Sequence, residues 1–205
     1  MASAPYIVVA GGIASGKTTL ALRLAERLQT QVFLERPERN PFVMDFYGDP
    51  ERWSLASQLW FTADTLRYQA AASSGGIQDH SSYEAVHVFG AALRDIGHLQ
   101  PREYDLLESV LTVGLRSLRT PDVVLLLRAP VEQLRKRIWL RGRAYEQDIT
   151  AAYLQALVDQ RERYFDRWTL SPVIPIATEQ IDSRRDADLE HIVRRIKQTL
   201  SPSLV

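Results

Sequence analysis

The sequence predicts an α/β fold in which helices flank a parallel β-sheet. Short apolar segments of strand type alternate with segments of helical periodicity along the chain. The segment 121–127 ends in five consecutive aliphatic residues, which is typical of a strand buried on both faces. A glycine-rich segment, 11–18, separates the first predicted strand from the first predicted helix. Such alternation indicates a parallel sheet with right-handed crossovers, and 205 residues suit one domain, so we expect a single domain over 1–205.

The first strand and the first helix follow from residue type and spacing. Residues 6–10 read Tyr-Ile-Val-Val-Ala, an apolar and largely β-branched run of the kind that forms a buried strand. In the segment 19–28, Leu20, Leu24 and Leu28 recur at helical spacing, which predicts a helix.

The remaining elements are predicted from the same two patterns. A second strand at 31–34 ends at Glu35, which it would place at the edge where open α/β sheets bind their ligands. The segment 73–76 breaks a long helical pattern. The other predicted elements are helices at 53–72, 104–118, 130 to about 140, 151–168 and 187–200, and extended segments at 77–79, 121–127 and 173–176.

The glycine-rich segment fits the phosphate-binding pattern G-x-x-x-x-G-K-[ST]. Between a strand and a helix, its backbone N–H groups and the helix N-terminus can cradle phosphates. Lys17 would reach the terminal phosphates of a nucleoside triphosphate, and Thr18 would help to hold Mg²⁺. We expect ATP as the phosphoryl donor, although the segment 178–182 that would flank its base does not exclude GTP. The predicted donor-binding residues of this segment are Gly11, Gly12, Ile13, Ala14, Ser15, Gly16, Lys17, Thr18 and Thr19.

Composition excludes several other classes of function. The 25 basic residues balance the 25 acidic ones, so bulk charge indicates neither a nucleic-acid nor a membrane partner. The chain has no cysteine, which excludes disulfides and thiol chemistry. It shows no basic segment followed by an apolar one at its start, so we expect a cytoplasmic protein.

Five further segments stand out by their order and spacing. They are Glu35 with Asn40-Pro41-Phe42 and Asp45-Phe46-Tyr47; 50–54 continuing to Gln58; 79–84 with Phe89; 137–147; and Tyr153-Leu154 with Tyr164-Phe165. Together they resemble the deoxyribonucleoside kinase family, including the bacterial deoxyadenosine/deoxyguanosine kinases, and the resemblance covers about residues 7–197.

The resemblance implies 5′-phosphorylation of a deoxynucleoside for nucleotide salvage, with a role for each matching residue. Glu35 would accept or orient the proton of the 5′-hydroxyl as it attacks the γ-phosphate. Gln58 would pair with the edge of the base through its amide. Tyr47 and Glu146 would hold the 3′-hydroxyl, and the tyrosine ring would crowd a 2′-hydroxyl.

The segment of about 137–147 would be an arginine-rich lid over the phosphates. Arg137 and Arg141 lie four residues apart, which places them on one face of a helix, and Arg143 follows Gly142. The guanidinium group grips phosphate oxygens and stays charged in a closing site. We therefore expect all three arginines to act in catalysis, with Arg141 also binding the donor.

Two positions depart from the family pattern. The family normally reads Asp/Glu-Arg-Ser where this chain has Asp79-His80-Ser81. Either His80 would be a weaker donor to the acceptor hydroxyl, or a lid arginine would take this role, or activity would be reduced. Asp79 would orient Mg²⁺ through water. Near the base, Ala85 resembles thymidine-type or broad-specificity members, whereas the Asn-Pro-Phe and Asp-Phe-Tyr signatures favour purine deoxynucleosides. These two signals conflict, and of the two we favour purine deoxynucleosides.

Two alternative functions remain open at this point. A nucleoside monophosphate kinase, or another small-molecule kinase, would clamp an acceptor phosphate with further arginines such as Arg36, Arg39 and Arg67. A weakly catalytic nucleotide-binding partner subunit would explain His80. The resemblance also implies a homodimer through 53–72 and 104–118, or a heterodimer with a paralogous chain.

Overall fold

The computed structural model describes residues 4–201 and has five parallel strands in one sheet. The order across the sheet is β2-β3-β1-β4-β5, so β1 lies at its centre between β3 and β4. This arrangement confirms the predicted fold class. The strands are β1 (Tyr6–Gly11), β2 (Val32–Phe33), β3 (Gly76–Asp79), β4 (Val123–Arg128) and β5 (Val173–Ala177).

Helices cover both faces of the sheet. Successive side chains of β1 point to opposite faces of the sheet. Ile7 and Val9 pack in one apolar cluster with α1 and α9, whereas Tyr6, Val8 and Ala10 pack in another with Phe165. The helices are α1 (Lys17–Leu28), α2 (Val43–Gly48), α3 (Pro50–Ala71), α4 (Ser82–Glu84), α5 (Ala91–Asp95), α6 (Pro101–Leu115), α7 (Val131–Arg141), α8 (Ala151–Phe165) and α9 (Asp186–Leu200), with a π-helical turn at Ala85–Gly90 and short 3₁₀ turns at Pro37–Arg39, Ala72–Ser74 and Ala144–Glu146.

The parallel sheet brings the ends of its strands to one edge. Gly11 ends β1, Asp79 ends β3, and Glu35 follows β2 by two residues. Because these three strands are neighbours and run in the same direction, the three residues meet at the carboxyl edge of the sheet.

Two long helices begin earlier than the apolar pattern predicts. Helix α3 begins at Pro50 rather than at Trp53, because Asp49 caps it by accepting a hydrogen bond from the Arg52 amide at 3.3 Å. Helix α6 likewise begins at Pro101 and ends at Leu115, short of the predicted 118. Capping residues, and not the apolar stripe, set these boundaries.

The segment 82–95 forms a continuous helical run that the sequence pattern did not reveal. Its centre is the π-helical turn at 85–90, where hydrogen bonds reach one residue further along the chain than in an α-helix. This shifts the apolar spacing away from the usual helical period, which explains why the pattern failed. Within residues 4–201, no helix is long and apolar enough to cross a membrane.

Candidate active site

The phosphate-binding segment forms a loop between β1 and α1. Gly11 and Gly16 adopt φ angles of +155° and +101°, and a Cβ at Gly11 would lie 2.7 Å from the Ser15 hydroxyl. The ammonium group of Lys17 donates to the carbonyl oxygens of Gly11 and Gly12 at 3.0 and 2.9 Å. Helix α1 begins at Lys17, two residues earlier than predicted, so its free N–H groups lie at the loop.

A cavity of about 930 Å³ opens beside this loop. Arg137 of α7 lies along it and donates to the Ser15 carbonyl at 3.0 Å. The segment 178–185 forms another wall, and it includes residues 178–182, which are expected beside the donor base. We call this space the donor cavity.

A second cavity, of about 110 Å³, lies on the other side of the loop. We call it the acceptor cavity. It shares Ala14, Lys17, Thr18, Arg141 and Arg143 with the donor cavity. Its other lining residues are Ile13, Glu35, Pro37, Val43, Phe46, Tyr47, Gln58, Phe61, His80, Phe89, Tyr145, Glu146 and Tyr153.

The carboxyl group of Glu35 is the candidate base in the acceptor cavity. Burial raises its pKa to about 8; the charge of Lys17 acts against this rise, and the nearby carboxylate of Asp79 adds to it. A carboxyl group with a pKa near the working pH is suited to accept a proton during the reaction.

His80 lies deep between two carboxyl groups. Its Nε2 is 4.0 Å from Glu35 Oε1 and its Nδ1 is 3.7 Å from Glu84 Oε2, so neither contact is a good hydrogen bond. Burial, with the positive charges of Lys17 and Arg161, holds the pKa of His80 well below its usual value. The backbone of His80 has a φ angle of +69°, which is uncommon for a residue other than glycine. The imidazole of His80 is therefore harder to protonate than that of an exposed histidine.

Thr18 and Asp79 form the candidate metal-binding pair. The Thr18 hydroxyl donates to Asp79 Oδ2, while Oδ1 of the same carboxylate is buried with no hydrogen-bond partner. A hydroxyl and a free carboxylate oxygen are ligands that Mg²⁺ accepts together with phosphate oxygens. Residues 4–201 contain no cluster of three or more His, Asp or Glu side chains that could hold a metal without such phosphates.

Gln58 and Tyr47 face the acceptor cavity from α3 and α2. Gln58 is 3% exposed, and its Oε1 has no hydrogen-bond partner. Buried polar atoms are seldom left unpaired, so this oxygen is available to a ligand. Asn40 donates to the Ser57 hydroxyl at 2.9 Å and accepts from the Phe42 amide, which fixes the chain before α2 against α3.

Two arginines at the end of α7 and just after it pair with Glu146. Arg141 donates to Glu146 Oε2, and Arg143 donates to Oε1 at 3.2 Å. Gly142 makes this possible because it ends α7 with a left-handed φ of +70°. Glu146 is buried in both ion pairs, whereas the two guanidinium groups remain about one-third exposed, at 32% and 37%.

Some predicted residues lie away from the acceptor cavity. Ala85 is buried in the π-helical turn and does not line the cavity, so a direct contact with the base is not supported. Arg36, Arg39 and Arg67, which a monophosphate kinase would need, line neither cavity. Arg67 instead pairs with Asp64 on α3.

Four residues near the site received no individual role in the sequence analysis, although Glu84 and Tyr153 belong to the segments that resemble the family. Tyr145 and Tyr153 line the acceptor cavity, and the ring of Tyr145 lies 5.4 Å from that of Tyr47. Glu84 and Arg161 form a buried ion pair behind the loop. Glu84 lies four residues after His80, which could have placed it near the site, but Arg161 is one charged residue among several in α8 and gives no such signal.

The fold and the paired cavities define a kinase built on a phosphate-binding loop. The sequence model described as deoxynucleoside kinase matches residues 7–201. The chain therefore belongs to the deoxynucleoside kinase family and is an enzyme that phosphorylates deoxynucleosides.

Several relatives are similar over nearly the whole chain. A deoxyadenosine/deoxycytidine kinase of Bacillus subtilis is 30% identical over 200 residues, which are 95% of this chain and 92% of the relative. A deoxyguanosine kinase of the same organism is 27% identical over 98% of this chain and 100% of the relative. A structure of deoxyadenosine kinase from M. mycoides with bound dATP matches with a TM-score of 0.83 at 21% identity, over 94% of this chain and 99% of that one. This structural similarity supports the fold class described above.

Proposed function

We propose that the chain transfers the γ-phosphoryl group of ATP to the 5′-hydroxyl of a deoxynucleoside, with purine deoxynucleosides preferred. The observation that carries this proposal is the meeting of the two cavities. Lys17, Arg141 and Arg143 line both of them, so groups bound on the two sides of the loop would meet at the same cationic side chains.

The residues around this meeting point suit a direct in-line transfer. Glu35 accepts the proton of the 5′-hydroxyl while that oxygen forms its bond to the γ-phosphorus. The bond from the γ-phosphorus to the bridging oxygen breaks, and ADP leaves with the electron pair. Lys17 and the arginines Arg137, Arg141 and Arg143 stabilise the charge on the phosphate oxygens throughout.

Mg²⁺ fits the pair formed by Thr18 and Asp79. When bound, it would neutralise charge on the β- and γ-phosphates of the donor. Asp79 is suited to this position because its Oδ1 is buried and unpaired, a costly state that a cation would relieve.

Gln58 and the sugar-binding residues support a nucleoside as acceptor. The unpaired Oε1 of Gln58 can accept from an exocyclic amino group of the base. Tyr47 and Glu146 lie on the same cavity and suit the 3′-hydroxyl of the sugar. A purine preference is supported by the names of the Bacillus relatives, although one of them also includes deoxycytidine.

The test is phosphorylation of the four natural deoxynucleosides by the purified chain with ATP and Mg²⁺. We expect deoxyadenosine and deoxyguanosine to be converted faster than deoxycytidine and thymidine. Conversion of dAMP but not of deoxyadenosine would overturn the choice of acceptor. Tight nucleoside binding without turnover, followed by turnover once a paralogous chain is added, would favour a partner subunit instead.

The proposal includes a homodimer in the cytoplasm. Leu106 and Val113 on α6 are 46% and 62% exposed, which leaves apolar surface on one of the two helices expected to form the interface. Light scattering of the purified chain would measure its mass, and a monomer would contradict the dimer.

A further inference from the structure

A buried arginine outside the sequence motifs lies behind the phosphate loop. Arg161, in the middle of α8, is 3% exposed. Its Nε donates to Glu84 Oε1 at 3.1 Å and its Nη1 donates to the Leu157 carbonyl at 3.4 Å, while Nη2 is buried with no hydrogen-bond partner. Arginine is almost never fully buried unless it is paired, so this ion pair decides the position of the side chain.

Glu84 connects this guanidinium group to the loop. Its carboxylate is fully buried, and the oxygen that accepts from Arg161 also accepts from the Gly11 amide at 3.1 Å. A Cβ at Gly12 would lie 3.6 Å from Arg161 Nη1, so the guanidinium group also lies directly against the loop. Arg161 thus holds Glu84 in the orientation that fixes the first amide of the loop.

Glu84 is the carboxyl group that depends on Arg161. Burial raises the pKa of Glu84, and the charges of Arg161 and Lys17 act against this rise. Without Arg161, only Lys17 would remain of these two cations. The imidazole of His80 lies near the other oxygen of the same carboxylate, with its Nδ1 3.7 Å from Oε2.

We propose that Arg161 is a positioning residue: from α8 it holds Glu84 in the orientation that fixes the Gly11 amide of the phosphate loop. Its effect on catalysis rests on the proposed phosphoryl transfer. Positions 80 and 161 are coupled because His80 Nδ1 lies 3.7 Å from the other oxygen of the same carboxylate. An arginine at either position can satisfy Glu84, whereas arginines at both would crowd two guanidinium groups around one carboxylate.

The test is a double-mutant cycle with His80→Arg, Arg161→His and the combined variant. The readouts are kcat, the KM for ATP, and the affinity for a non-hydrolysable ATP analogue. We expect each single variant to lose about tenfold or more in kcat/KM for ATP, and the combined variant to recover to within about threefold of the wild type. A combined variant that is no better than the sum of the two losses would overturn the proposal.

A second pair of variants separates positioning from mere stability. Arg161→Lys keeps the charge and should retain more activity than Arg161→Gln, which removes it. Arg163→Gln is the matched control, because Arg163 lies on the same helix with its side chain 58% exposed and should leave all readouts unchanged. If Arg161→Gln lowers only the melting temperature, and leaves kcat and analogue affinity intact well below it, the proposal is wrong.

Failure of this inference can be told apart from failure of the proposed function. A wild-type chain that phosphorylates no deoxynucleoside, with or without a paralogous chain, would contradict the function. Affinity for the ATP analogue needs no acceptor. Weaker analogue binding in Arg161→Gln, with recovery in the combined variant, would then still support the role of Arg161, and unchanged binding would contradict it.

Discussion

The donor and acceptor cavities share one loop but are built in different ways. The donor cavity, of about 930 Å³, is formed largely by contiguous segments, the phosphate loop and residues 178–185. The acceptor cavity, of about 110 Å³, is lined by single side chains from many separate elements. Recognition of phosphates can rest on backbone amides and local sequence, whereas recognition of a nucleoside requires side chains that only the fold brings together.

The two cavities also differ in charge. The donor cavity carries Arg137 and Lys136 in addition to the cations that both cavities share. The acceptor cavity holds the carboxyl groups of Glu35 and Glu146, and burial raises the pKa of Glu35 to about 8. The donor cavity is thus suited to bind an anion, and the acceptor cavity is suited to proton transfer.

The largest effect is expected on the donor side. Lys17→Ala removes the ammonium group that both cavities share, and turnover should fall by about 10³-fold because charge on the transferring phosphate loses its stabilisation. Steady-state kinetics with ATP would measure the loss. Lys197→Ala, which removes an exposed lysine on α9, is the control and should change nothing. A fall of less than tenfold would contradict the role of Lys17.

On the acceptor side, Glu35→Gln should lower turnover by about 10²-fold or more while nucleoside binding is retained, because the amide cannot accept the proton. Glu26→Gln, on the exposed face of α1, is the matched control. Turnover equal to that of the wild type would remove Glu35 from the mechanism.

The pH dependence of kcat/KM is an independent test of the role of Glu35. Glu35 must be ionised to accept a proton, so kcat/KM of the wild type should rise with pH and level off near the pKa of about 8. A profile that is flat from pH 6 to 9 would contradict this assignment.

Gln58→Leu should raise the KM for the deoxynucleoside by about tenfold, with a smaller effect on kcat, because the base loses its hydrogen-bond partner. The KM for ATP should stay constant, since Gln58 does not line the donor cavity. Gln155→Leu, at an exposed position on α8, makes the same chemical change elsewhere. An equal rise in both KM values would show that the two cavities are not independent.

The smallest effect concerns stability. The pKa of Glu35 is higher in the fold than its ordinary value of 4.5, so the native state binds the proton more tightly and loses stability as pH rises from about 4.5 to about 8. Glu35→Gln removes this loss and should be more stable than the wild type by at least about 1 kcal/mol at pH 8, with little difference at pH 4. Denaturant unfolding at the two pH values would measure it, and a difference that does not grow with pH would contradict the raised pKa.

Most of the sheet and the helices around it were predictable because their signals are local. The strand at 6–10 and the loop at 11–18 are continuous patterns, and the structure has β1 and the loop there. The run at 82–95 was not predictable, since its π-helical turn disturbs the apolar period. The start of α3 was missed because the cap at Asp49 lies outside the apolar stripe.

The phosphate loop and the strands could be predicted from the sequence because each depends on neighbouring residues, and the resemblance to the family indicated Glu35 as the candidate base. The tertiary structure decided that the pKa of His80 is lowered, that Ala85 lies off the acceptor cavity, and that Arg161 pairs with Glu84 behind the loop. These outcomes depend on burial and on partners far apart in the chain, such as Arg161 and Glu84 at a separation of 77 positions, and no local pattern encodes them.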